Sequence, residues 1–584
     1  MVRKRYETIP DEGPHVSQNA QTGGSPVGLT ISLSPSYKFW AVSGFLDLSQ
    51  SAAMTTPSNF LVTGLPYETT AVTSSLNGQY AGLLPSGAGT NYFFWYFPTT
   101  NAAANNNLII WLNGGPGCSS MEGLWTENGP VLFGNSGTDL QPNPYSWHLQ
   151  GSILYIDQPA GTGFSPINSG SYDDITLASY FNTFLNNWYN VFPDAKGKNL
   201  YITGESYAGT YIPYIASNLI KAKTLKDGTP INLKGLGIGN PYFSPAAQSP
   251  PKSSIADYDF FNEAGFFNRP DIDTSSIKTQ AGNVAQQGGD VPGLLSKWYT
   301  QNYNTFGSGN TCFDPYWITK EYPCDNSYND AGYIKEGYMG DYLNLAAVQS
   351  AIHVANEKIS WAECNNVKLS DSKNAASVTL FDSIISAGVN LVIFDGDKDS
   401  VCHYVGVERV LGNTTWAGGK GFSKASQNWV VNGQNSGLIW NDRGLSYVRI
   451  FGPGHMVPAD SPVLGSAVLT EVLAGSSSPL LSITVTTGTT SITVATTTSP
   501  KPSSSVVKTT TKTIASSSSK TNPTTTTSVT PSCAHSECSQ GGKLKSTCSA
   551  CAAAVCAQDS YCCNNTWDSQ CVGEVAQYCS TVQC

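Results

Sequence analysis

Four short apolar runs, at 107–112, 152–156, 199–203 and 389–394, set the strongest constraint on how this 584-residue chain can fold. Each is continuous instead of alternating apolar with polar, so each asks to be covered on both faces, the condition of a central strand in a parallel sheet. Helix-like stretches separate the runs, and this alternation over 56–475 predicts an α/β domain. Between 241 and 340 the pattern gives way to aromatic and Asn/Gly-rich sequence, read as an insertion that caps the sheet. With 40% hydrophobic residues there is ample material for a core, while a charged fraction of 12%, against about 25% in ordinary soluble domains, leaves a surface that is polar without being ionic.

At roughly 150 residues per domain the length implies more than one unit, and composition marks the joints. Residues 1–26 are polar and the one stretch resembling a signal h-region, 39–46, is internal, short and runs into Asp47, so 1–55 are expected to be a pro-segment or to precede the true start. From 476 to 532 the chain turns to Ser, Thr, Val and Pro without an acidic residue. That is a linker, either an O-glycosylated stalk or plain coil, and as a coil it would span roughly 40 Å. Ten cysteines crowd into 533–584, and Cys118, Cys312, Cys324, Cys364 and Cys402 are scattered through the long domain. Such usage belongs to an oxidising compartment, so secretion is expected, with a vacuole as the alternative. A net charge of -10 offers no field for a phosphate backbone, so no nucleic-acid partner is expected. No apolar run reaches the length of about 18 residues that a membrane span requires.

The run at 199–203 leads into Gly204-Glu205-Ser206-Tyr207-Ala208-Gly209 and a helix-like stretch, the strand–turn–helix context of a nucleophile elbow. Such a turn needs small residues two before and two after the nucleophile, and Gly204 and Ala208 supply them. By itself the pentapeptide is explained equally well by an ordinary strand–helix turn. In this context the partners follow in the order Ser, acid, His. Of the six histidines, His455 stands on a Gly/Pro turn after an apolar run and is the base candidate. His353 falls in a helix-like stretch and His403 follows another strand closely; both read as structural. The acid should end the run at 389–394, where Asp395, Asp397 and Asp399 compete, the unused ones being solvated turn residues. Spacing does not choose among them. After the run at 107–112, Asn113-Gly-Gly-Pro-Gly-Cys-Ser-Ser120 can turn backbone N–H groups toward a ligand, half of an oxyanion hole whose other half is the amide of Tyr207. The lysine that would make this a phosphate loop is missing.

Taken in order, five blocks resemble the serine carboxypeptidase family, in particular its secreted fungal members: 111–120, 143–147, 157–165, 204–209 with Tyr211-Ile-Pro213, and 452–458. The resemblance covers about 56–475 and thins in the insertion and before Tyr80. It implies an α/β-hydrolase fold with an insertion (cap) domain. It further implies Ser206 as nucleophile, His455 as general base, Asp399 as orienting acid, and Gly115 and Tyr207 as oxyanion amides. Trp111, Asn113, Glu127 and Glu205 match the holders of a substrate's terminal carboxylate. Two side-chain carboxyls beside a substrate carboxylate cannot all be ionised, so at least one must keep its proton, which predicts an acidic optimum. The family also suggests a Cys118–Cys364 bridge and leaves Cys312 and Cys324 as a short bridge in the insertion. Cys402 is then a free thiol near Asp399, either sensitive to mercurials or buried and inert.

The ten cysteines of 533–584 are an even number in a stretch too short to rely on its core, so a small disulfide-rich C-terminal module with five bridges is expected. No activity attaches to its pattern, and contact with a cell wall or polysaccharide rests on architecture alone. Asn413 and Asn564 open glycosylation sequons. The expected function is hydrolysis of the C-terminal peptide bond of peptides and proteins through an acyl-enzyme, without cofactor or metal. The alternatives are an esterase or acyltransferase on the same frame and a catalytically silent wall-binding protein.

Overall fold

The computed structural model describes residues 56–486, except 168–172, 250–251, 267–273, 288–310, 324–333, 368, 371–374 and 476–479, together with scattered positions between 536 and 579. The chain divides into two units after Thr498. The strands of the first unit are β1 (Tyr80–Gly87), β2 (Thr90–Phe97), β3 (Asn107–Leu112), β4 (Val131–Phe133), β5 (Leu140–Pro142), β6 (Ser152–Asp157), β7 (Asn199–Glu205), β8 (Leu233–Gly239) and β9 (Thr311–Asp314). They continue with β10 (Trp317–Pro323), β11 (Asn390–Gly396), β12 (Thr415–Trp416), β13 (Gly419–Lys420), β14 (Gln427–Val431), β15 (Gln434–Asp442), β16 (Leu445–Ile450) and β17 (Ser482–Ile483). Eleven form one sheet in the order β1-β2-β6-β3-β7-β8-β11-β16-β15-β14-β17.

The four apolar runs are its centre. β3 pairs in parallel with β6 and β7, β7 with β8, β8 with β11, and β11 with β16. From Leu108 to Leu112 every residue is buried, as coverage on both faces requires. The helix Asp174–Val191 starts at Asp173, whose carboxylate accepts the Thr176 N–H at 2.8 Å. It buries Leu177, Phe181, Phe184, Leu185 and Trp188, positions that share one side at 3.6 residues per turn. The helix Ala208–Ala222 contains Pro213, which has no N–H for the Gly209 carbonyl; the Ser377 hydroxyl donates to that oxygen instead, at 2.7 Å. Helix Pro462–Ala474 adds Ala467, Val468 and Val472 to a core with Val392 and Phe394 of β11.

Where an insertion is expected, between β8 and β11, the described residues form helices Ser254–Glu263 and Thr274–Gln287, the β9–β10 hairpin and helix Ile334–Leu343. His353 is not helical: it lies past the helix Ala346–Ala351 at φ 64, with Nδ1 3.0 Å from the Ala81 carbonyl oxygen. The Ser/Thr-rich tract contributes to the sheet before it becomes a linker, since Ser482 and Ile483 pair with Val430 and Val431. Leu480, Ile483 and Val485 are buried there, apolar side chains that a composition averaged over the tract conceals. In the second unit Cys551–Cys579 and Cys562–Cys571 are bridged, and Cys538, Cys548 and Cys556 are disulfide-bonded as well. Leu544, Ala552, Val555 and Trp567 fill the space between them. Residues 1–55, Asn564 and Cys324, and with it the expected Cys312 bridge, lie outside the described residues. Among the described residues no helix is long and apolar enough to cross a membrane.

One buried acid ties the edge of the sheet to pH. Glu471 is fully buried, its Oε2 accepts the Leu480 N–H at 2.9 Å, and its Oε1 meets no donor. Burial pushes this carboxyl up to about 7 against the Leu480 bond. Its contribution to stability is therefore complete below its ordinary value of 4.5 and is lost as pH rises toward 7. Glu471→Gln keeps the acceptor and removes the titration. It is expected to stabilise the fold by about 2 kcal/mol at pH 8, read as a Tm higher by a few degrees, and to leave Tm unchanged at pH 4. Calorimetric scans at the two pH values check this; an equal effect at both contradicts it.

Candidate active site

β7, β11 and β16 run parallel, so their C-terminal ends meet at one edge of the sheet. β7 ends at Glu205 and the chain turns at once into the helix Ala208–Ala222, with Ser206 at the turn in the left-handed region, φ 59. An L-residue adopts this only when its surroundings over-determine it. Here the Ser206 N–H donates to the Gly239 oxygen, and its carbonyl accepts from the N–H groups of Gly209 and Tyr242, each at 2.9 Å. A Cβ on Gly204 would lie 2.1 Å from the Leu112 oxygen and 2.9 Å from the Ala208 Cβ. Position 208 thus tolerates a methyl group because position 204 has none.

Of the three acids that follow the run at 389–394, Asp399 is the one that meets an imidazole, with His455 Nδ1 2.6 Å from its Oδ2. The Asp399 carboxylate also accepts from Asn240 Nδ2 at 2.9 Å and from the N–H groups of Val401 and Cys402 at 2.7 and 3.1 Å. Nδ1 therefore carries the proton and Nε2 is left as the basic nitrogen. Burial opposes the imidazolium, but the charge and hydrogen bond of Asp399, with Glu127 and Asp460 beyond, outweigh it and hold His455 above the usual histidine value. Asp397 instead accepts the Gly452 N–H at 2.8 Å and pairs with Lys398. Asp395 is fully buried against the Tyr447 hydroxyl at 2.9 Å, not a solvated turn residue, because β11 extends through it. The Cys402 N–H bonds Asp399 and its thiol lies by the Ser206 side chain, which sets the Ser206 turn beside this group. Cys402 is the free cysteine among the described residues, and burial pushes its thiol well up, which favours the protonated form.

The loop after β3 crosses the same edge. A Cβ on Gly114 would sit 2.5 Å from the Tyr207 nitrogen and 2.7 Å from the Ser206 Cβ, so this backbone lies directly against the elbow. Gly115 follows, and the Cys118–Cys364 disulfide anchors the loop as expected. Asn113 is a hub. Its Oδ1 accepts from Trp111 Nε1 at 2.7 Å and from the Gly123 N–H at 3.1 Å. Its Nδ2 reaches Glu205, Glu122 and Glu127 at 3.1, 3.2 and 3.5 Å. Burial pushes Glu127 up to about 7, restrained by its bonds with Asn113 and Glu205. Burial, then the neighbouring charges of Glu127 and Glu122, push Glu205 far above the carboxylate range, which favours its protonated form. Glu127 Oε2 is buried without a partner. A neutral pair of this kind can hydrogen-bond an incoming carboxylate, where an ionised member would repel it.

Asn240, Glu122 and Tyr316 escape sequence reasoning. Asn240 follows β8, and a polar residue at a strand end was its signal; Glu122 immediately precedes the helical segment Gly123–Glu127 that ends in Glu127; the ring of Tyr316, 5.1 Å from that of His455, is placed by the folding of the insertion. His403 is structural, with Nε2 3.0 Å from Asp257 and Nδ1 accepting the Gly406 N–H to cap the helix Tyr404–Asn413. Asn413 is exposed at the end of that helix.

A family model described as serine carboxypeptidase matches residues 70–475, and a domain of unknown function matches 531–584. The chain is 34% identical over 397 residues to the pheromone-processing carboxypeptidase kex1 of Aspergillus terreus, covering 64% of this chain and 62% of that protein. It thus spans about three fifths of that relative's length. With the protein of the same name from Aspergillus clavatus it shares 32% identity over 450 residues, 73% of this chain and 72% of the relative. Among solved structures, that of Kex1Δp, a prohormone-processing carboxypeptidase from Saccharomyces cerevisiae, is similar with a TM-score of 0.63 at 27% identity, covering 72% of this chain and 96% of the other.

The short His455–Asp399 contact has a spectroscopic consequence. A proton resonance far downfield of the amides is expected from Nδ1–H, surviving Cys402→Ala and vanishing in Asp399→Asn. Its persistence in Asp399→Asn would place the proton elsewhere.

Proposed function

The chain belongs to the serine carboxypeptidase family, and from that premise we propose that it removes residues one at a time from the C-termini of peptides and proteins through an acyl-enzyme on Ser206. Ser206 Oγ attacks the last peptide carbonyl while His455 Nε2 takes its proton, and Asp399 steadies the imidazolium. The N–H groups of Gly115 and Tyr207 receive the developing oxyanion. His455 then protonates the departing amine, and a water activated by the same imidazole releases the acyl group. The lift of Ser206 at φ 59 and the basic Nε2 left by the Asp399 bond support these roles.

The observation that carries the exopeptidase reading is the burial of Glu205 and Glu127 together on the amide of Asn113, which pushes both carboxyls above their ordinary value. A substrate whose last residue ends in a carboxylate would accept from this pair and from Asn113, whose amide the Trp111 indole orients through its oxygen, and the scissile bond would fall one residue inside that anchor. An ester or a blocked C-terminus offers the pair nothing to bind, which favours peptide acids over the esterase alternative. The bridged cysteines support a route through an oxidising compartment and hence secretion, and the exposed Asn413 of the sequon is open to glycosylation on that route.

The pH dependence follows from the same groups. Turnover needs His455 neutral, and binding needs the pair protonated, so activity is confined on the alkaline side by Glu127 near 7. KM for a peptide acid is expected to climb above pH 7, approaching about tenfold per pH unit, the limit for one proton. KM for the corresponding C-terminal amide should stay flat, with Ser206→Ala lowering kcat by at least ~10^4-fold on both. Parallel pH curves for acid and amide would refute the role of the pair.

A further inference from the structure

The tip of the β9–β10 hairpin lies between the loop that carries Asp399 and the loop that carries His455, and bonds to both. On the Asp399 side, the Ser400 N–H and hydroxyl both donate to the Pro315 oxygen, at 2.9 and 2.7 Å, and the Ile318 N–H donates to the Lys398 oxygen at 2.9 Å. On the His455 side, the His455 N–H donates to the Tyr316 oxygen at 2.7 Å and the Trp317 indole donates to the Gly452 oxygen at 2.9 Å. A Cβ on Gly454 would stand 1.9 Å from that same Tyr316 oxygen, so the approach leaves no slack. Lys320 completes the contact: its ammonium lies 3.9 Å from the centre of the Trp317 ring and 3.9 Å from Asp460, whose other oxygen accepts the Gly454 N–H at 2.7 Å.

Both loops are also tied to each other, through the Lys398 N–H on the Pro453 oxygen at 3.0 Å and the Gly452 N–H on Asp397. Those two ties act on the residues just upstream of Asp399 and His455. The backbone at Ser400 and at His455 itself is held through the hairpin. We propose that residues 314–318 form a clasp that fixes the imidazole of His455 against Asp399, and that Trp317 is a positioning residue for the acyl transfer. The inference rests on the reading of Ser206, Asp399 and His455 as the reacting set. It assigns the insertion a part in the chemistry besides covering the sheet: cap and triad cannot move independently. A hairpin that merely covered the sheet would have no reason to send two carbonyl oxygens and an indole N–H into the turns on either side of it.

Trp317→Phe removes the indole N–H and leaves a ring for Lys320, and Ser400→Ala removes one of the two donors to Pro315. Each is made in the full chain and assayed on a peptide acid, with active sites counted by fluorophosphonate labelling and Tm recorded. The clasp predicts a kcat per labelled site lower by about tenfold in Trp317→Phe, with KM within about twofold of the parent, because misplaced reacting groups cost rate more than binding. It also predicts that the acid limb of kcat/KM moves to lower pH, since an imidazole that slips from Asp399 loses the interaction that raises it. Unchanged kcat per site and an unmoved limb, with any loss confined to Tm or to the labelled fraction, would overturn the clasp while leaving the hydrolase reading intact. A parent protein that labels with the probe yet cleaves no peptide acid would overturn the carboxypeptidase reading instead.

Discussion

Glu205 and Glu127 are both buried beside the amide of Asn113, and there the cost of burying charge decides how the site can work. With Glu122 nearby as well, three acids gather on a single Nδ2 group. Full ionisation would leave them repelling each other with one shared donor, so a proton has to remain, and it remains on Glu205. The position of that residue is not free to vary, because it immediately precedes Ser206. The same turn that lifts the hydroxyl into the left-handed region therefore sets the acid pair at a fixed distance from it, and the two features stand or fall together.

The sheet supplies the rest of the rigidity. Holding Ser206 at φ 59 costs on the order of 1–3 kcal/mol, offset by backbone bonds to Gly239 of β8, to Tyr242 just beyond it and to Gly209 in the helix that follows. Asn240, at the end of β8, bonds Asp399 with its amide N–H and accepts the Gly396 N–H with its oxygen, so a central strand braces the same carboxylate oxygen that meets His455. The β3 loop is pressed on the elbow closely enough that Gly114 has no space for a methyl group. Each group of the site is thus fixed by an element other than its own, the condition for geometry held before a substrate arrives.

Much of this was legible in the residues, and the failures have physical causes. The central strands could be read because a strand covered on both faces must be continuously apolar, although β11 runs on through Asp395 and Gly396 where the apolar run stops. That extension is why Asp395 looks like a turn residue in sequence and is buried in fact. The choice among Asp395, Asp397 and Asp399 was closed to spacing, since it is made by Asn240, 159 residues upstream of Asp399, and by His455. The contribution of the insertion was equally hidden: the hairpin acts mainly through carbonyl oxygens and N–H groups, which every residue type carries. Residues 480–486 were lost to composition because four apolar side chains, three of them buried, do not alter the average of a long Ser/Thr tract.

The central claim, that an acid beside Ser206 keeps its proton at neutral pH, can be observed without any substrate. Difference infrared spectroscopy between the parent and Glu205→Gln, recorded across pH 5 to 8, should show the carbonyl stretch of a buried protonated carboxyl that is present at pH 6 and absent from the variant. Finding only ionised carboxylate bands at pH 6, with nothing removed by Glu205→Gln, would mean that the pair is charged and that the site is not built on a retained proton.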